Sequence, residues 1–223
     1  MKKEESFMKQ YDVILFDLDG TITDPGEGIT KSVAYALQQS GITVTDLTTL
    51  YPFIGPPLRD SFQRYFGQTP QQAEESVAQY RVYYRKQGIF ECLVYPGIEE
   101  LLKKLSEAGK TIVLATSKPE EFAVQLLEHF GLARYFTCMA GATLDDSRDT
   151  KDKVIAYALE RVGLSDTSKA VMIGDREYDI LGAKQFGIDG IGVTFGYGSR
   201  QELEEAGAVA LADSAHDLEA LLL

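Results

Sequence analysis

Asp17 and Asp19, in the stretch YDVILFDLDGTITD from Tyr11 to Asp24, are the residues whose types and spacing point most directly to chemistry. On an extended backbone, side chains two apart share a face, so both carboxylates enter one small volume. Like charges that close repel, and one must be neutralised by a cation or carry a proton. Gly20 lets the chain turn away at once. The plainer alternative is a strand end followed by a polar turn, where Asp and Gly are common. With Asp175, the pair makes an all-oxygen site suited to a hard cation. Mg²⁺ is the expected cofactor, because it tolerates one or two carboxylates with several waters. Cys and His are missing from these segments, which argues against zinc. Thr116 and Ser117 are expected where a helix begins, so their hydroxyls and the backbone N–H groups there can hold a phosphoryl group. A lysine before a helix, in TKDKVIAYAL from Thr150, supplies further positive charge. These are the parts phosphoryl transfer requires: a nucleophile, an acid/base, a metal and donors for the equatorial oxygens.

The elements that must carry these groups are visible as alternating periods. Val13 to Phe16 is a short apolar run of strand formers, and Thr111 to Ala115, Tyr135 to Ala140, Ala170 to Ile173 and Ile191 to Phe195 are further strands, with Val209 to Leu211 as a short edge strand. Helical stripes lie between them: Ile98, Leu101, Leu102 and Leu105 after Pro96; Phe122, Leu126, Leu127 and Phe130 after Pro119; Val154, Ile155, Ala158, Leu159 and Val162; and a short helix from Tyr178 to Phe186. Strands alternating with helices imply a parallel sheet covered on both faces, and such sheets bind ligands at the C-terminal ends of their strands. Asp17 to Asp19, Thr116 to Lys118, Lys151 to Lys153 and Asp175 to Asp179 all fall at such an end or soon after one. From Asp24 to about Gly88 the period is helical throughout, with Gly41, Gly67 and Gly88 as terminators, which suggests a small inserted helical domain.

Composition narrows the partners. The 223 residues include 44% apolar ones, enough for a proper core. There are 34 acidic against 22 basic residues, a formal charge of −12, and this surface repels phosphate backbones and anionic lipid. Nucleic acid and membrane are therefore not expected as partners, whereas a cation and a few donors can reverse the field inside a cleft for a small phosphorylated substrate. Cys92 and Cys138 read as two buried free thiols in a reducing compartment. No signal-like segment and no run long enough to span a bilayer is present, so a cytoplasmic location is expected, with residues 1 to 10 as a ragged leader. Other readings are plain. Asp24 suits a turn or cap, His129 and His216 suit packed or surface positions, and Tyr80, Tyr83 and Tyr84 suit bundle packing. Lys118, beside Pro119, fits either a solvated position or a catalytic role on the rim. Arg59, one turn into a helix after Gly55-Pro56-Pro57, fits either an exposed helix position or a contact to a substrate anion.

FDLDGT at Phe16 to Thr21, LATSK at Leu114 to Lys118, a lysine at 151 or 153, and GDREYD at Gly174 to Asp179 resemble, in order and spacing, the four signatures of the haloacid dehalogenase superfamily. Further stretches, FIGPPLRDSF and MIGDREYDILGAKQFGIDGIGVTFGYGS among them, are similar to its phosphoglycolate phosphatase and bacterial 5′-nucleotidase-like branch. The resemblance implies an α/β fold with a Rossmann-like parallel-sheet core, residues 1–24 and 93–223, and an inserted α-helical cap, residues 25–92. It implies Asp17 as the nucleophile that forms an aspartyl-phosphate, and Asp19 as the acid and then the base. Mg²⁺ would be held by Asp17, Asp19 through its backbone carbonyl, and Asp175, with Asp179 as a weaker or indirect contact. Thr116, with Ser117 in support, would bind the phosphoryl oxygens, and Lys151, ahead of Lys153, would be the active-site lysine. Substrate selection is expected from the cap loop around Ile54 to Arg59, with Arg59 as a candidate contact for the substrate anion. The implied activity is Mg²⁺-dependent hydrolysis of a small phosphomonoester, phosphoglycolate or a nucleoside 5′-monophosphate, by a monomer or weak homodimer. Phosphomutase, pyrophosphatase and a non-catalytic phospho-aspartate switch are the alternatives on the same parts.

Overall fold

A computed structural model describes residues 9–145 and 147–223. Of the expected leader, residues 1–8 lie outside the described residues, and Lys9 pairs with Asp189 at 2.7 Å. The central element is β1, Val13–Phe16, whose four residues are all buried. A strand buried on both faces needs neighbours on both edges. Its neighbours are parallel: β4, Thr111–Pro119, in the register Val13 to Thr111, and β6, Ala170–Gly174, in the register Val13 to Ala170. Beyond them lie β5, Cys138–Ala142, on one side, and β7, Asp189–Val193, then β8, Ala210–Ala212, on the other. The six-stranded order is β5-β4-β1-β6-β7-β8.

Pleating sorts the apolar residues between the two faces. Ile14, Phe16, Ile112, Leu114, Val171 and Ile173 share one core with the stripes of α4, Ile98–Glu107, and α5, Glu120–His129, and with Leu218 and Leu222 of α9, Ala215–Leu222. Val13, Leu15, Val113, Ala115, Ala170 and Met172 share the other with α6, Lys151–Val162, and with Ala183 of α7, Glu177–Lys184. This is the expected α/β sheet with helices on both faces.

The helical insert hangs on a short stem. β2, Thr23–Asp24, pairs antiparallel with β3, Leu93–Val94, and between them run α1, Gly26–Gln39, a 3₁₀ helix Leu47–Phe53, α2, Leu58–Phe66, and α3, Pro70–Lys86. Thr69 and Gln72 form a capping box at the start of α3 with Pro70 in its first turn. α1 must come close to the segment that returns to the stem, and Gly28 allows it. Its N–H donates to the Glu91 carbonyl at 2.9 Å, and a Cβ there would stand 1.9 Å from the Gly88 carbonyl oxygen.

Several boundaries differ from the sequence reading. β4 does not stop before Thr116 but continues to Pro119, with a register irregularity against β5 between those residues, so α5 begins at Glu120 and Thr116 is not at a helix start. Tyr135 belongs to a 3₁₀ turn, Ala133–Tyr135, and the strand after it starts at Cys138. α8, Arg200–Ala206, and α9 flank the edge strand and were not distinguished by period, because each spans barely two turns.

Candidate active site

The ends of β1, β4 and β6 converge with the start of α6. At the end of β1 the chain turns through Gly20, at φ +84°, a left-handed conformation. A Cβ there would stand 2.1 Å from Asp175 Oδ2, so glycine also lets the turn lie against that carboxylate. Asp17, Asp175 and Asp179 are buried, and each offers a carboxylate oxygen within 4.8 Å of the others. Lys151 answers part of this charge. Its Nζ donates to Asp17 Oδ1 at 2.8 Å and to the Ala115 carbonyl at 3.0 Å, and it lies 2.7 Å from Asp179 Oδ1 as an ion pair. Lys153 points elsewhere, exposed and paired with Asp149 at 2.7 Å. Of the two lysines, Lys151 is the one in the cluster.

The remaining oxygens divide into held and unheld. Asp179 Oδ2 accepts from the Arg176 N–H at 3.1 Å, and Asp175 Oδ2 accepts from the Tyr197 N–H at 2.7 Å. Asp175 Oδ1 is buried and has no hydrogen-bond partner among the described residues. A buried carboxylate oxygen without a donor is costly unless a cation meets it. The hard carboxylate oxygens of Asp17, Asp175 and Asp179, clustered within 4.8 Å of one another, fit Mg²⁺ or a similar divalent cation. One lysine does not balance the group. Burial, with the charges of Asp179 and Asp17, pushes the Asp175 carboxyl well up, and burial pushes Asp179 up to about 6 against the opposing pull of Lys151.

A folded-state value raised above the unfolded one means that the folded protein takes up protons first as pH falls, so stability declines as pH rises through about 6. We therefore expect the metal-free protein to melt at a higher temperature near pH ~5 than near pH ~7.5, and Mg²⁺ to flatten that slope. Thermal denaturation across this range, with chelator and with Mg²⁺, reads it; a chelated protein that only loses stability on acidification over that interval would contradict the charge balance described.

Asp19 stands apart from the other three carboxylates. Its two oxygens accept from Lys118 Nζ at 2.9 and 2.6 Å. Burial raises its carboxyl and Lys118 opposes the rise. Lys118 is thus not solvated as its place beside Pro119 suggests. It is buried, and it is the residue that the sequence reading undervalued, although it lies on the same strand-end rim that marked the others. Thr116 is buried and its Oγ1 accepts from the Lys118 N–H at 3.2 Å, while Ser117 is half-buried. Thr21 is buried with its hydroxyl unpartnered among the described residues. Arg59 is not brought into the cluster: it lies half-buried on α2 and donates from Nε to Glu74 at 2.7 Å. Asp24 accepts from the Gly26 N–H at 3.0 Å, two residues on at the start of α1, and from the Tyr197 hydroxyl, in line with a turn residue. The insert meets the sheet ends here, where Arg176 donates to the Ile54 carbonyl at 2.8 Å and Tyr51 meets Tyr197 edge-on at 5.5 Å.

A parallel sheet that gathers buried aspartates and a lysine at its strand ends beneath a helical insert defines a hydrolase of one architecture: the chain belongs to the haloacid dehalogenase-like hydrolase family, whose model matches residues 14–193. It is 45% identical over 194 residues to a 5′-nucleotidase of Pseudomonas aeruginosa, covering 87% of each chain. It is 32% identical over 188 residues to a phosphoglycolate phosphatase of Agrobacterium fabrum, covering 82% of this chain and 80% of that one. A crystal structure described as a predicted phosphatase from Clostridium acetobutylicum superposes with a TM-score of 0.91 at 47% identity, covering 95% of this chain and 98% of the other. Among the described residues, no helix is long and apolar enough to cross a membrane.

Proposed function

We propose that the protein is a Mg²⁺-dependent phosphatase of small phosphomonoesters, with phosphoglycolate and nucleoside 5′-monophosphates as the leading substrates. The observation that carries this reading is the placement of Asp17: a buried carboxylate at the end of the central strand, 2.8 Å from Lys151 and grouped with Asp175 and Asp179. Asp17 attacks phosphorus, the bond to the ester oxygen breaks, and Asp19 gives a proton to the departing alcohol. Water then attacks the aspartyl-phosphate, its proton goes to Asp19, and the Asp17–phosphorus bond breaks to release inorganic phosphate. Lys151 keeps Asp17 oriented and offsets its charge as the dianionic ester approaches. Thr116, with Ser117 beside it, donates hydroxyls to the phosphoryl oxygens. Asp17 and Asp175, with Asp179 alongside and the main-chain carbonyl of Asp19, would hold the cation, which supplies charge neutralisation at the phosphoryl oxygens. Residues 25–92 act as a cap that excludes water and selects the substrate, with Arg59 on its α2 as a contact for the substrate anion. The names of the two relatives support the substrate class, and a phosphomutase is the next reading on the same parts.

The test is phosphate release from a panel that contains phosphoglycolate, nucleoside 5′-monophosphates, sugar phosphates and pyrophosphate. We expect turnover of at least one monoester with Mg²⁺ and its loss, by about a hundredfold or more, with chelator. Release that continues undiminished with chelator would refute the metal-dependent mechanism, and isomerisation of a sugar phosphate without phosphate release would favour the mutase.

A further inference from the structure

Lys118 lies two residues beyond Thr116 on β4, where the register against β5 is irregular, and both are buried. Its ammonium meets both oxygens of Asp19, at 2.9 and 2.6 Å, where only 4% and 14% of the two side chains are exposed. Water does not compete for such a pair, so it holds an orientation rather than merely balancing charge. On its other side the ammonium lies 5.1 Å from the centroid of the Tyr84 ring, which α3 of the insert brings down onto the strand ends. That ring is itself held: it stacks on Tyr80 at 5.3 Å with the planes 14° apart, and meets Phe122 of α5 edge-on at 5.5 Å. Asp17 repels Asp19, and a carboxylate left to itself would swing away from the cluster in whichever direction solvent allowed.

We propose that Lys118 is a positioning residue for Asp19, completed by Tyr84, so that docking of the helical insert sets the carboxylate serving the leaving group. The inference rests on the phosphatase reading, in which Asp19 protonates the departing alcohol. A displaced Asp19 matters most where the leaving group is basic: an alkoxide needs the proton, whereas a nitrophenolate departs without it. A lysine that bound the phosphoryl group instead would matter equally for both.

The measurement is kcat/KM with Mg²⁺ for an alkyl phosphomonoester and for para-nitrophenyl phosphate, since this quantity reports the steps through loss of the leaving group. Lys118→Met should lower it about a hundredfold for the alkyl ester and less than about tenfold for the nitrophenyl ester. Tyr84→Leu should shift the ratio in the same direction by less, and Lys118→Arg should recover part of it. Equal losses on both esters, or an unchanged ratio in Tyr84→Leu, would overturn the proposal, and the Tyr84 variant decides the matter if Lys118→Met does not fold. A wild type that turns over neither ester would refute the phosphatase reading and this inference with it; a wild type that turns over both, with a variant that loses them equally, refutes the inference alone.

Discussion

Asp17→Asn is expected to abolish phosphate release, with a loss on the order of a thousandfold or more, while the protein stays folded. The amide occupies the volume of the carboxylate, but it is neutral and a poor nucleophile toward phosphorus. Its effect on stability should be small because two changes oppose each other. Asp175 and Asp179 lose a like charge close by, and Lys151 loses one of its two carboxylate partners while keeping Asp179 at 2.7 Å. Phosphate release from the best substrate of the panel, together with a circular-dichroism melt, measures both. Turnover at the wild-type rate by a folded Asp17→Asn protein would exclude Asp17 as the nucleophile. If instead the variant were unfolded, the balance of charge around Lys151 would have been misjudged.

The second large effect is expected from Lys151→Met, and it falls on stability as well as on rate. Methionine keeps much of the length and apolar stem, so the change removes mainly the ammonium. What remains is Asp17, Asp175 and Asp179, all buried, with the ion-pair partner that Asp17 and Asp179 shared removed. Breaking a buried ion pair from one side costs about 3–5 kcal/mol, because the partner charge is left uncompensated. The loss should be greatest near neutral pH without metal and should shrink as pH falls, since protonated carboxyls no longer need the lysine. Added Mg²⁺ should recover part of the stability but not the rate, because Asp17 would remain without the donor that orients it. Denaturant melts at two pH values, with chelator and with Mg²⁺, provide the measurement. A variant as stable as the wild type at neutral pH without metal would mean that solvent, and not Lys151, compensates these charges.

Much of this architecture is readable from period and punctuation alone. Val13 to Phe16 reads as a buried strand because four apolar strand formers stop abruptly at Asp17, and the stripes of α4 and α5 read as helices because Leu and Ile recur at helical spacing between a Pro and a Gly. The strand-end rule then gathers Asp17 to Asp19, Thr116 to Lys118, Lys151 to Lys153 and Asp175 to Asp179 on one rim. What escapes is whatever depends on contacts distant in sequence or on elements too short to have a period. β2 and β3 are two residues each, and their pairing joins Asp24 to Leu93 across the whole insert. Lys118 looks like a surface lysine because it stands beside Pro119, and only the run of β4 to Pro119 turns it inward onto Asp19. Tyr84 reads as bundle packing, and it is that, being stacked on Tyr80; that its ring also reaches a lysine of the sheet depends on how the insert docks.

The middle position of β1 has a consequence for biosynthesis. It leaves the ribosome early, yet its two neighbours begin at Thr111 and Ala170. At about 5–20 residues per second, the first neighbour follows after roughly five to twenty seconds and the second later still. Throughout that delay a fully apolar segment has nothing to pair with, while the insert, made of local helices, emerges and can fold behind it. The nascent chain is therefore most prone to aggregate before its second half has been translated, and it is in that interval that holding chaperones would improve the yield.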